Sequence, residues 1–189
     1  MCGIAGFITA PADRIKLTTI TKKMVDMIAH RGPDDNGIWV DENCQIALGH
    51  QRLSILDLSS AGHQPMHSAC DRFVMVFNGE IYNHLAIRSK LQATNQESLD
   101  WRGHSDTETL LAAFVNWGIE KTLNTCVGMF SIVLWDRQEN VLTLVRDRMG
   151  EKPLYYGWQG NTFMFASELK ALKVHPDFKG EIDRQSLSL

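Results

Sequence analysis

Met1-Cys2-Gly3-Ile4-Ala5-Gly6-Phe7 opens the chain with a cysteine at its second position. Residues 3–8 are short, apolar and punctuated by glycine, the pattern of a buried strand, so the terminus is carried inward. A cysteine one peptide bond from the initiator methionine gains a free α-amine once that methionine is removed. A thiol with reference pKa about 8.5 is a poor nucleophile at neutral pH, whereas an α-amine near 8 is a ready proton acceptor, held nearby by covalent geometry. Nucleophile and base would be one residue. Any residue can follow a methionine, so the remaining residues must supply the partners such chemistry needs.

Composition bounds what those partners can be. With 189 residues and 44% hydrophobic content, the chain forms one domain or at most two small ones and buries roughly 70% of its unfolded surface. Nineteen basic against 22 acidic side chains, a formal charge of −3 and no basic cluster argue against nucleic acid and for a small neutral or zwitterionic ligand. No stretch approaches the ~20 apolar residues of a membrane span, and no leader-like segment opens the chain, so the expected location is the cytoplasm. Cys2, Cys44, Cys70 and Cys126 are irregularly spaced without a CxxC pair, as reduced thiols rather than zinc or redox ligands are.

Outward from the terminus, Ile20, Met24, Met27 and Ile28 recur at helical spacing and predict an amphipathic helix over 18–30. It ends in the turn-rich His30-Arg31-Gly32-Pro33-Asp34-Asp35-Asn36-Gly37. Strands are expected at 37–40 and 45–49, leading to Arg52, whose planar fork suits a carboxylate or else forms a solvated rim. His63 and His67 stand four apart, but Pro65 breaks the helix that would align them, so a surface loop without metal is expected. The apolar run 73–77 predicts a buried strand that stops at Asn78-Gly79-Glu80. That pair is either a tight hairpin turn or two donors, the Asn78 amide and the Gly79 N–H, for a developing oxyanion.

A helix is expected over 84–93, then an exposed polar loop over 94–102. Ser105 and Glu108 form a capping box ahead of Leu110, Leu111, Phe114 and Trp117, ended by Gly118, which leaves Asp106 free to bind an ammonium group. Strands at 129–136, 141–146, 154–158 and 162–166 suggest an antiparallel meander. Gly150-Glu151-Lys152-Pro153 has the look of a phosphate loop, but proline follows the lysine where Ser or Thr should open a helix, so nucleotide binding is rejected there.

Cys2-Gly3-Ile4, His30-Arg31-Gly32-Pro33-Asp34, Gly49-His50 with Arg52-Leu53-Ser54-Ile55, Asn78-Gly79-Glu80-Ile81-Tyr82-Asn83, Ser105-Asp106-Thr107-Glu108 and Arg146-Asp147-Arg148 through Tyr156 follow in that order. Over nearly the whole chain this resembles the glutaminase domain of asparagine synthetases, within the class II glutamine amidotransferases. The resemblance implies an α+β fold, the N-terminal-nucleophile αββα sandwich of two stacked antiparallel sheets flanked by helices. It implies Cys2 as nucleophile, Asn78 and Gly79 as the oxyanion hole, and Arg52 on the α-carboxylate of L-glutamine. Glu80 and Asp106 would receive its α-ammonium, and Leu53, Ser54, Ile55 and Leu56 would line the pocket through their backbone. A thioester, glutamate and ammonia follow, with no metal or cofactor in this domain.

Members of that family continue into an ATP- and Mg-dependent synthetase domain with a Ser-Gly-Gly-x-Asp-Ser loop, which this sequence lacks. Residues 1–180 therefore read as the amidotransferase domain and 181–189 as the start of a linker or helix toward the absent domain, leaving apolar surface near the C-terminal strands. The resemblance also leaves room for a homodimer. A non-catalytic, glutamine-binding regulatory domain is the alternative, and it requires Cys2 to be dispensable.

Overall fold

A computed structural model describes residues 1–94 and 99–181. The terminal stretch forms β1 (Gly3–Ile8), followed by α1 (Arg14–Asp26). The helix starts earlier than its apolar spacing suggests because Asp13 caps it, accepting from Lys16 N at 2.7 Å. A short 3-10 turn, Ala29–Arg31, then leads into β2 (Asp35–Asp41) and β3 (Ile46–Arg52). Next come β4 (Met66–His67), β5 (Phe73–Ile81) and α2 (His84–Thr94). They are followed by α3 (Asp106–Trp117), α4 (Ile119–Thr125), β6 (Gly128–Asp136) and β7 (Val141–Arg146). The last described elements are β8 (Tyr155–Gln159), β9 (Thr162–Ala166) and α5 (Leu169–Lys173).

The strands form two antiparallel sheets, β2-β3-β1-β9-β8 and β4-β5-β6-β7. Period-2 alternation sorts their side chains into layers. Ile4, Ile46, Leu48, Val74, Val76, Val133 and Phe165 form one cluster between the sheets. Ala5, Phe7, Ala47 and Met164 face the other way, against Leu17, Met24 and Ile28 of the α1 region and Ala171 of α5. Met75, Phe77, Ile132 and Leu134 meet Ile87 and Leu91 of α2 and Leu110 and Phe114 of α3. The product is helix, sheet, sheet, helix, the expected αββα sandwich.

Several sequence expectations change. The four last strands are not one meander: β6–β7 belongs to one sheet and β8–β9 to the other, with residues 147–154 crossing between them. The strand expected to stop at 77 continues to Ile81, with Asn78 opposite Ser131 and Gly79 opposite Phe130, so Asn78-Gly79 is no hairpin turn. The region of His63 and His67 contains the short β4. In the stretch read as an exposed loop, Leu99 and Trp101 are half-buried against the core, with the Arg88 guanidinium 3.9 Å from the Trp101 ring. Residues 182–189, where the linker was expected, lie outside the described residues. Tyr156 and Trp158 on the edge strand β8 are each 66% exposed.

One buried group makes the sandwich sensitive to acid. His50, on the inner face of β3, is fully buried and donates through Nε2 to Phe77 O at 3.0 Å. Burial lowers its pKa to about 4, against about 6.5 in an unfolded chain. Between these values the unfolded chain binds a proton that the folded chain does not. Stability from neutral His50 is thus complete above about pH 6.5 and is lost as pH falls toward 4, by roughly 3 kcal/mol. Denaturant titrations of wild type and His50→Asn at pH 7.5 and 4.5 should show the gap between them shrinking by about that amount; an unchanged gap would refute it.

Candidate active site

The same alternation that fills the inter-sheet layer with Ile4, Leu48 and Val76 places Cys2, Arg52 and Asn78 at its end, two residues beyond Ile4 and Val76 and four beyond Leu48. There the apolar layer gives way to a cavity of about 210 Å³ lined by Cys2, Arg52, Asn78, Gly79, Glu80 and Asp106. Leu53, Ser54, Ile55 and Leu56 complete one wall. Every site residue expected from the sequence thus borders one space, smaller than the roughly 300–1,000 Å³ of drug-sized sites and suited to a ligand of amino-acid size.

Cys2 is half-buried, and its Sγ accepts from Leu53 N at 3.4 Å. Burial pushes the thiol above its ordinary pKa; the Leu53 N–H, the N-terminal charge and Arg52 pull it back only in part. It is therefore protonated at neutral pH and requires a base for attack. Among the described residues, no histidine lines the cavity. The backbone of Cys2 is fixed by Arg31, whose Nε donates to Cys2 O at 2.9 Å while Nη1 donates to Glu168 Oε1 at 2.9 Å. Asp34 Oδ2 accepts from Ser54 N at 2.7 Å. The stretch read as only a turn-rich loop thus anchors both the nucleophile's strand and the opposite wall.

Asn78 is 1% exposed, and its Nδ2 has no hydrogen-bond partner among the described residues. An unpaired buried amide donor costs about 1–3 kcal/mol, so this one calls for a partner beyond the described residues, such as a water or a ligand. Next to it, a Cβ on Gly79 would lie 2.3 Å from Met129 O, so only glycine lets β5 and β6 approach this closely.

Arg52 is neither a solvated rim residue nor a free fork. It is 7% exposed, with Nη1 donating to Ser59 O at 3.0 Å and Nη2 to Asp57 O. Two of its five N–H donors hold the loop. Asp106 is likewise not free, because Oδ2 accepts from Ile81 N at 2.9 Å and Oδ1 from Thr107 N at 2.8 Å. It ties the end of β5 to the start of α3, and burial raises its pKa. Ser105 caps α3 by accepting from Glu108 N at 3.2 Å. Glu108 does not return the bond as a capping box would. It accepts from Arg102 N at 2.7 Å and Gly103 N at 3.1 Å.

Asp57, Gln64 and Lys152 also line the cavity, and none was anticipated as a site residue. Asp57 accepts from His104 N, Ser59 N and Ser59 Oγ at 2.9, 2.8 and 2.6 Å. These donors, His104 N–H first, hold its carboxyl at about 2. Gln64 Oε1 accepts from Phe77 N at 2.7 Å. His104 and Phe77 are distant in sequence from the side chains that accept from them, whereas Ser59 is a near neighbour of Asp57.

Comparison with known proteins agrees with this geometry. The family described as "Glutamine amidotransferase domain" matches residues 1–189. Asparagine synthetase (glutamine-hydrolyzing) 3 of Bacillus subtilis is 36% identical over 197 residues, covering 100% of this chain and 30% of the relative. Putative asparagine synthetase (glutamine-hydrolyzing) 2 of Methanocaldococcus jannaschii is 39% identical over 190 residues, covering 91% and 35%. The chain thus spans about a third of the length of these relatives. Among solved structures, glutamine phosphoribosylpyrophosphate amidotransferase from B. subtilis superimposes with a TM-score of 0.73 at 21% identity, over 92% of this chain and 43% of that one. At that identity the likeness establishes the fold, an N-terminal-nucleophile sandwich. Matched over residues 1–189 by the family model, the chain belongs to the glutamine amidotransferase domain family.

Proposed function

We propose that this domain hydrolyses the side-chain amide of L-glutamine after removal of Met1, supplying ammonia to an ATP-dependent synthetase domain of a longer, cytoplasmic protein. Arg52 takes the α-carboxylate of glutamine, and Asp106 with Glu80 takes the α-ammonium. The backbone of 53–56 closes over the substrate. Cys2 passes its thiol proton to its own α-amine as Sγ bonds to the amide carbon, and the oxyanion is met by Asn78 Nδ2 and the Gly79 N–H. The proton is then given to the leaving nitrogen, the C–N bond breaks, ammonia departs, and water hydrolyses the thioester to glutamate. No step needs a metal or cofactor. The exposed aromatic edge of β8 is where we place the contact with the further domain.

The observation that carries this reading is the buried, unpaired Asn78 amide in the wall of the cavity that holds Cys2. A binding-only state has its own support: Met1 lines the same cavity, and while it is attached the nitrogen of Cys2 is an amide without basicity. Glutamate formation from glutamine should proceed in the processed protein without ATP or aspartate and vanish in Cys2→Ala. Isothermal titration should still detect glutamine binding to that variant. Turnover by Cys2→Ala would refute the reading.

A further inference from the structure

Lys152 has no part in the reaction written above, yet its side chain is inside the cavity. It is 7% exposed, and lysine is almost never buried this far without an anionic partner. Among the described residues it forms no ion pair. The hydrogen-bond partner of its Nζ is Met1 Sδ, 3.4 Å away. A thioether is a weak acceptor, so this contact leaves the charge uncompensated.

The backbone around Lys152 is firmly held. Phe130 N, Glu151 N and Lys152 N all donate to the Asp147 carboxylate, at 3.2, 3.0 and 3.2 Å. Arg146 Nε donates to Lys152 O at 2.8 Å, and Gly150 turns the chain at φ +66°. The segment that crosses between the sheets thus delivers one cation to the side chain of Met1. From Met1 Sδ to the nitrogen of Cys2 is a short covalent path, so Nζ and that nitrogen lie within on the order of 10 Å.

The charges around Cys2 are Arg31 at its carbonyl, Arg52 from β3, Asp57 from the following loop, Glu80 from β5, Asp106 from α3, and Lys152. In the proposed complex, glutamine's carboxylate pairs with Arg52 and its ammonium with Asp106 and Glu80. Lys152 is the cation left over. When Met1 departs, Lys152 loses its contact and the new α-amine of Cys2 forms within on the order of 10 Å of it. A like charge nearby disfavours a second cation.

We propose that Lys152 keeps the α-amine of Cys2 unprotonated, and so able to take the thiol proton, once Met1 has been removed. Lys152 acts through Cys2 and is a positioning residue by charge. The inference rests on the glutaminase reading above, in which that amine is the base.

The test is the pH profile of kcat/KM, which reports groups of the free enzyme, for wild type, Lys152→Met and Lys152→Arg, each verified by intact mass to lack Met1. Lys152→Met should move the acid limb up by about one pH unit, a roughly tenfold loss at pH 6.5 that narrows above pH 9. Lys152→Arg, which keeps the charge, should retain the wild-type limb. An unmoved acid limb in Lys152→Met overturns the proposal and leaves the glutaminase reading standing. Absence of turnover in processed wild type at every pH takes down both. Should Lys152→Met not fold, NMR titration of the isotope-labelled Cys2 α-amine in wild type decides: ionisation well below the ordinary value of about 8 supports the proposal, and ionisation at or above it overturns it.

Discussion

A chain that keeps Met1 will form no glutamate from glutamine above the background of the uncatalysed reaction, while its processed counterpart turns over. Burial holds the Cys2 thiol above its ordinary pKa, so attack depends on a base at the moment of reaction. Among the described residues the cavity offers no histidine, Asp106 is occupied by the N–H groups of Ile81 and Thr107, and Asp57 by His104 N and Ser59. Glu80 is assigned to the substrate ammonium in the proposed complex, the α-amine is the base of that reading, and an amide nitrogen cannot replace it. Met1 also intrudes by its bulk, lining the cavity with its side chain on Lys152. The measurement is glutamate release by two preparations that intact mass shows to be fully processed and fully unprocessed. Equal rates would end the proposed role of the amine.

The second large effect is expected at Asn78. Its amide is already buried and unpaired in the free protein, so the cost of desolvation is met during folding and the donor is in place when the oxyanion forms. Asn78→Ala should lower kcat by about 10²-fold or more with little change in KM, as loss of one oxyanion donor does. Arg52→Ala should behave differently, raising KM through the lost carboxylate contact and also releasing the carbonyls of Asp57 and Ser59. Steady-state kinetics of both variants separate these outcomes. An intact kcat in Asn78→Ala would make the unpaired amide a structural defect with no catalytic use.

What the sequence conveyed and what it hid follow one physical division. Ser105 was legible as a cap because its bond to Glu108 N spans a single helical turn. Cys2, Asn78 and Arg52 were legible because their short motifs occur in a specific order. The strands carrying them were cut short in the reading: β5 at Phe77 and β3 at Gly49, although pairing continues to Ile81 and Arg52. The reason is common to both. At the cavity end of the inter-sheet layer, side chains turn polar while the backbone ladder continues, so the apolar pattern ends before the strand does.

Other features depended on contacts between distant residues. Arg31 reaches Cys2, Asp57 reaches His104, and Lys152 reaches Met1. No local pattern encodes such pairs. The same holds for the crossing at 147–154, since hairpins within one sheet and hairpins in two sheets have the same alternation.

The place of β1 has a consequence for biosynthesis. It is a central strand, paired on one side with β3 and on the other with β9, where Ala5 meets Ala166. At a ribosomal pace of roughly 5–20 residues per second, the second partner emerges on the order of 10 s after the first. During that interval the amino-terminal strand belongs to a half-built sheet. Completion of the sheet around β1 is thereby set by the order of translation: β3 is available first, and the β8–β9 hairpin, made later, supplies the second neighbour.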